Sequence, residues 1–233
     1  MKIILSMSTQ EIEQYTKELA SNHAEYAAAQ GYQYKCFTER HASFTEYHPS
    51  YSRLGFLLDA MKEGYDPIVW ADIDVAFLDY TWDIASLLDY GKADAAFGLP
   101  DWQIQWGKTG GVWMAAYKQG NWPSTYVCFG LVAFANNWLS KAFLEEVARL
   151  SKNPNMQDTS CHEQLYVNEE LVRVNFAGVR ACSPQEIGCF ATELCDDHNQ
   201  WQAGYPTVHL ASGLWLLRQE AFVNTYGPTI KRA

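Results

Sequence analysis

Pro67-Ile68-Val69-Trp70-Ala71-Asp72-Ile73-Asp74-Val75-Ala76-Phe77 is the stretch from which the rest of the chain is read. Ile68, Val69 and Trp70 form a short apolar run of the kind a buried strand makes. Two carboxylates then follow with one residue between them, and apolar residues resume after them. At a strand end, side chains two apart project from the same side. Two hard anionic oxygens there suit a divalent cation that also holds substrate phosphates. Asp-x-Asp alone is a weak pattern, common in solvated turns; its place directly after an apolar strand is what points to a metal site.

Upstream, Lys2–Leu5 reads as a first buried strand. Ser8-Thr9-Gln10-Glu11 matches a capping box, with a hydroxyl and then a carboxylate three residues on. A helical pattern runs from about Thr9 to Gln30, and Gly31 stands where a C-cap belongs. Tyr32–Phe37 alternates and predicts a second strand. Leu54, Leu57, Leu58 and Met61 set a second helix over Tyr51–Lys62, followed by Gly64. Downstream, Asp83–Tyr90 predicts a short helix and Ala93–Gly98 a strand. This strand–helix alternation predicts an α/β fold with a mainly parallel sheet flanked by helices, in which ligands bind at the carboxyl ends of strands. Asp72 and Asp74 fall at such an end.

Pro100–Tyr126 breaks the pattern. It carries Trp102, Trp106, Trp113 and Trp122 among four glycines. A long loop without periodicity is either functional, as an acceptor site or a lid, or a packed plug, and both readings stand. Val127–Ala135 is strand-like, and Gly130 within it signals a bulge or a close backbone approach. Asn136 or Asn137 is placed to cap a helix with Leu139, Phe143, Leu144, Val147 and Leu150 on one face. Ser160-Cys161-His162-Glu163 is a second capping-box pattern. Val172–Ala181 reads as one or two short strands, Cys182–Tyr205 is irregular, Thr207–Leu210 is a strand, and Leu214–Phe222 is a last helix.

The chain has 233 residues, 48% of them hydrophobic and 19% charged, enough for one core and one domain. Its net charge of −10 argues against nonspecific binding to nucleic acid or anionic membrane. A phosphate-bearing substrate would therefore need a metal or placed cations. No stretch has the length of a membrane span, and the N-terminal apolar run is too short for a signal peptide. The expectation is a cytoplasmic protein with its six cysteines reduced. Cys189, Cys195 and His198 lie close together without CxxC spacing, so ordinary thiols are expected there rather than zinc.

Four features occur in order: Asn22-x3-Tyr26-Ala27-x3-Gly31-Tyr32-x-Tyr34; His48-Pro49-Ser50-Tyr51-Ser52-Arg53-Leu54; Trp70-Ala71-Asp72-Ile73-Asp74; and His209-Leu210-Ala211-Ser212-Gly213. Together they resemble the galactosyl-, xylosyl- and mannosyltransferase family of GT-A fold that acts on cell-wall and Golgi glycans. The resemblance is clearest over residues 20–80, weaker over 127–170, and returns at His209.

The resemblance implies a single GT-A-like domain over residues 1–233, with a donor and metal half at about 1–98 and an acceptor-side half at about 99–233. It implies a retaining glycosyltransferase using a UDP- or GDP-sugar with Mn²⁺ or Mg²⁺ and a carbohydrate acceptor. Asp72, Asp74 and His209 match the metal ligands, a set that suits Mn²⁺. Asp72, Ser212 and Gly213 would contact the nucleotide-sugar. Arg53 stands where the family commonly has Lys; it either faces the diphosphate or is a solvated helix charge. Glu163 and Gln164 match an acidic-residue-plus-Gln pair near the donor sugar, although Glu163 is also a capping carboxylate. Family members usually carry a membrane anchor and stem, and this shorter chain shows neither. That departure fits a microbial or viral version with a different acceptor. Two other readings are kept: a sugar nucleotidyltransferase, which should carry a Gly-rich basic loop where Ser6-Met7-Ser8-Thr9 stands, and a non-catalytic carbohydrate-binding protein, which leaves Asp72, Asp74 and His209 without a role.

Overall fold

The structure is a computed structural model that describes residues 1–88, 95–98, 128–152, 166–167, 170, 179–182, 184–187, 189–190, 201–210 and 215–232. Its strands are β1 (Ile3–Met7), β2 (Gln33–Phe37), β3 (Ile68–Ala71), β4 (Val75–Phe77), β5 (Ala95–Gly98), β6 (Cys128–Phe134), β7 (Val179–Cys182), β8 (Cys189–Phe190) and β9 (Thr207–His209). Its α-helices are α1 (Glu13–Gln30), α2 (Ser52–Lys62), α3 (Trp138–Ser151), α4 (Pro184–Ile187) and α5 (Trp215–Ala221).

A larger sheet has the order β2-β1-β3-β6-β5-β7, and a smaller one the order β4-β9-β8. In the larger sheet β1 runs parallel to β2 and β3, and β5 to β7, while β6 is antiparallel to β3 and β5. The fold is α/β with a parallel-dominated main sheet. Parallel strands need crossovers long enough to hold a helix, and α1 supplies the one from β1 to its neighbour β2 while α2 carries the chain from β2 to β3 on the other side of β1.

The central strands β1, β3 and β6 of the main sheet are buried on both faces, and their side chains alternate accordingly. Ile3, Leu5, Ile68, Trp70, Val132 and Phe134 pack with Leu54 and Leu57 of α2 and Phe143, Leu144 and Val147 of α3. Ile4, Val69, Ala71, Leu131 and Ala133 pack on the other side with Tyr26 and Ala27 of α1. A third cluster joins Ala76, Val208 and Leu210 of the smaller sheet to Leu19 of α1 and to Phe222 and Tyr226 after α5. Among the described residues no helix is long and apolar enough to cross a membrane.

Helix ends follow the expected chemistry with two exceptions. Gly31 closes α1 in the left-handed region at φ 71°, where a Cβ would be strained. Asn137 rather than Asn136 caps α3, its side chain accepting from the Ser140 amide at 2.9 Å. Asn136 instead bridges to the Met61 and Tyr65 carbonyls. The first exception is Ser8, which does not cap a helix. Its buried hydroxyl meets Thr16 Oγ1 at 2.6 Å, and regular α1 starts only at Glu13. A buried hydroxyl needs a partner, and the core offered one before the helix terminus did. The second is the helix expected over Asp83–Tyr90: within the described residues it is a single 3₁₀ turn at Ile84–Leu87. Asp83 caps that turn, accepting from the Ala85 amide, while its carboxylate also receives Tyr32 Oη and Lys2 Nζ.

Candidate metal centre

The carboxylate pair sits where the chain leaves one sheet for the other. β3 ends at Ala71 and β4 begins at Val75. The Asp72 amide donates to the Gly130 carbonyl at 2.7 Å, so the last rung of the β3–β6 ladder reaches the first aspartate. The Val75 amide returns to the Asp72 carbonyl at 2.9 Å and closes a tight turn. On the far side the Leu210 amide donates to the Asp74 carbonyl at 2.7 Å. Val75 pairs with His209 in the antiparallel β4–β9 ladder, which brings the imidazole alongside Asp74.

One ligand atom from each of Asp72, Asp74 and His209 lies within 4.8 Å of the other two. Two carboxylate oxygens and an imidazole nitrogen are a donor set suited to Mn²⁺ and related divalent ions. Close approach is made possible by Gly130. A Cβ at that position would stand 2.6 Å from His209 Cε1, 3.2 Å from His209 Nδ1 and 3.1 Å from Asp72 Oδ2. The register of the β5–β6 ladder shifts across the same part of β6. The glycine expected to mark a bulge or a close approach marks a close approach. The residues present fit a divalent metal.

Each carboxylate is also held by a cation. Asp72 Oδ1 receives Trp70 Nε1 at 2.7 Å and Arg53 Nη2 at 3.0 Å. Arg53 is 8% exposed, donates to the Phe129 carbonyl through Nη1 and to the Ser50 carbonyl through Nε, and lies over the Trp70 and Phe129 rings. It is therefore a buried cation at the metal turn, and the solvated-charge reading does not hold. Asp74 Oδ1 meets His209 Nε2 at 3.2 Å, and Asp74 Oδ2 meets Arg218 Nη1 at 3.2 Å. Burial alone would raise the Asp74 carboxyl; His209 and Arg218 outweigh it and hold the group at about 2. Burial pushes the Asp72 carboxyl up despite the Arg53 guanidinium, and the Asp74 charge adds to the rise.

Two contributors went unread in the sequence. Trp70 counted as an apolar strand residue, yet its indole N–H orients Asp72. Arg218 lies in α5 with no local signal of function, yet it is 8% exposed and paired to the second aspartate. Glu163, Gln164, Ser212, Gly213, Trp102, Trp106, Trp113 and Trp122 lie outside the described residues. So do Cys195 and His198, while Cys189 stands in β8.

By sequence, no protein-family model and no curated protein matches the chain. Solved structures do match its fold. A glycosyltransferase involved in the glycosylation of the major capsid of PBCV-1 aligns with 95% of this chain and 98% of its own, at TM-score 0.65 and 16% identity. The galactosyltransferase LgtC, crystallised with donor and acceptor sugar analogs, aligns with 97% of this chain and 95% of its own, at TM-score 0.56 and 12% identity. The chain thus has the GT-A-like α/β fold of these glycosyltransferases, as a single domain.

Proposed function

We propose that this protein is a metal-dependent glycosyltransferase that moves a hexose or pentose from a UDP- or GDP-sugar to a glycan or other carbohydrate acceptor, with retention. One observation carries the reading: Asp72, Asp74 and His209 converge within 4.8 Å at the end of a central strand, in a fold shared with glycosyltransferases. Retention rests on the family resemblance of the sequence motifs.

Asp72, Asp74 and His209 would hold Mn²⁺ or Mg²⁺. When bound, the ion supplies positive charge against the negative charge that develops on the leaving diphosphate. Arg53 keeps Asp72 oriented and adds a fixed cation at the same turn, a suitable partner for a diphosphate. Ser212 and Gly213 would contact the nucleotide-sugar. Glu163 and Gln164 would face the donor sugar and stabilise positive character at its anomeric carbon. Trp102, Trp106, Trp113 and Trp122 would bind the acceptor or close over the donor and exclude water. The same proposal divides the domain into a donor and metal half at about 1–98 and an acceptor-side half at about 99–233. The net charge of −10 argues against nonspecific binding of nucleic acid, so the anionic donor relies on the metal and on Arg53.

The test is incubation with a panel of nucleotide-sugars, with and without Mn²⁺, followed by product analysis and assignment of the anomeric configuration. Mn²⁺-dependent transfer or donor hydrolysis is expected. Pyrophosphate exchange would indicate a nucleotidyltransferase. Metal-independent glycan binding without turnover would indicate a carbohydrate-binding protein.

A further inference from the structure

The strand that leaves the metal turn has two edges, and among the described residues only one of them faces another strand. β4 pairs with β9, and along that edge the Asp74 carbonyl accepts from Leu210 while the Leu78 amide donates to the Pro206 carbonyl. Residues alternate in direction along a strand edge, so Val75 and Phe77 turn their backbone groups the other way. That second edge faces α1. The whole stretch is buried: Val75, Ala76 and Phe77 are each 0% exposed. Backbone groups there need partners from within the protein.

Two side chains of α1 supply them. Asn22 acts as a one-residue strand: its Oδ1 accepts from the Phe77 amide at 2.8 Å and its Nδ2 donates to the Phe77 carbonyl at 2.8 Å. His23 meets the Val75 carbonyl through Nε2 at 2.5 Å. A carbonyl only accepts, so Nε2 carries the proton and Nδ1 is left to accept from Ser6 Oγ, 2.8 Å away at the end of β1. Four residues after Asn22, Tyr26 stacks flat on the Phe77 ring at 3.9 Å between centroids. Tyr26 lies one helical turn on from both Asn22 (i+4) and His23 (i+3), and all three reach β4. The Asn22-x3-Tyr26 pattern, which the metal centre itself does not use, finds its purpose in this contact.

We propose that Asn22 and His23 are positioning residues for the metal-binding turn. They fix the depth of β4 against α1, and with it Asp74 one residue before Val75 and His209 across the ladder. Their hydrogen bonds go to the β4 backbone. They act through the backbone of the strand on which one ligand stands and against which another is paired. This inference rests on Asp72, Asp74 and His209 being a metal site, but half of its test does not depend on that reading.

The test uses the full chain with Asn22→Ala and, separately, His23→Phe, which keeps a ring while removing both nitrogens. In the first arm, amide hydrogen exchange is compared between residues 72–78 and 207–210 and the main-sheet residues 68–71 and 131–134, which neither side chain bonds. Loss of the anchor should speed exchange in the first group on the order of tenfold and leave the second group unchanged. Equal acceleration in both groups, or in neither, overturns the proposal, since the two residues would then be ordinary contributors to stability. Failure of both variants to fold counts against it in the same way. In the second arm, Mn²⁺ is titrated alone. Wild type should bind, and both variants should bind several-fold more weakly, with His23→Gln, which can still donate to Val75, recovering part of the loss. An unchanged Mn²⁺ midpoint in both variants also overturns it. A wild type that does not bind Mn²⁺ removes the metal reading instead, and the exchange result then stands by itself.

Discussion

His209 stands directly across the β4–β9 ladder from Val75, and its Nε2 lies 3.2 Å from Asp74 Oδ1. Strand register thus sets where the histidine stands, and the tight turn that closes on Val75 sets where Asp74 meets it. Register places whole side chains on one face or the other, so a histidine in this position cannot slip out of the site without breaking the ladder.

His209→Ala should therefore weaken apparent Mn²⁺ affinity more than it lowers the metal-free melting temperature. A metal-bound imidazole must be neutral, so acid competes with the ion, and added Mn²⁺ should partly restore activity lost on acidification. The measurement is a Mn²⁺ titration of both proteins at fixed nucleotide-sugar, with metal-free melting curves beside it. An unchanged midpoint would take His209 out of the site.

Asp74→Ala should abolish metal-dependent donor turnover, and it should also destabilise the metal-free protein. A strand-end position reads as costing little stability when changed, but Asp74 is 8% exposed and paired with both His209 and Arg218. Removing one partner of a buried ion pair leaves the other charge uncompensated, at a cost on the order of 3 kcal/mol. Calorimetry or denaturant unfolding gives the second quantity. Near-normal transfer by Asp74→Ala would sink the proposed function.

Gly130→Ala is the smallest change that should damage the centre. The added methyl would stand 2.6 Å from the His209 ring, which must shift, and 3.1 Å from Asp72 Oδ2, which must give by a few tenths of an ångström. Mn²⁺ affinity and turnover should fall at least about tenfold, because a ligand displaced by even a fraction of an ångström loses its geometry. Equal values for the variant and wild type would show that the imidazole does not occupy this position when metal is bound.

Stability should fall as pH is lowered through two separate windows. Burial depresses His23 to about 4 from 6.5, so the unfolded chain takes up a proton that the folded chain refuses between those values. The loss should accumulate from pH 6.5 down to about 4 and reach about 3 kcal/mol, given 1.36 kcal/mol per unit. Asp74 has linkage of the same sign in a lower window. Its carboxyl is held at about 2 rather than 3.8, so its contribution is complete above that ordinary value and disappears as pH falls towards 2. Denaturant unfolding across pH should show both, and His23→Phe should flatten the first while leaving the second.

The local sequence determined much of this protein. The apolar run before Asp72 made β3, and the apolar periods of α1, α2 and α3 made helices that cover both faces of a sheet. Gly31 ended α1 where its left-handed conformation was needed, and Gly130 marked a close approach before any neighbour was known. These signals are legible because strand alternation, helical period and glycine freedom act over a few residues. What tertiary structure alone decided is who stands beside whom. Ser8 forms its bond with Thr16 in the core and not at a helix N-terminus, because burial left its hydroxyl no other partner. Arg53, on a helix where a cation would ordinarily meet water, is enclosed by Trp70, Phe129 and Asp72. Arg218 reaches Asp74 from α5, and Asn22 reaches Phe77 across 55 positions. Each of these pairings satisfies a buried charge or backbone group whose need arises only once the strands have been laid together, so no pattern along the chain announces it.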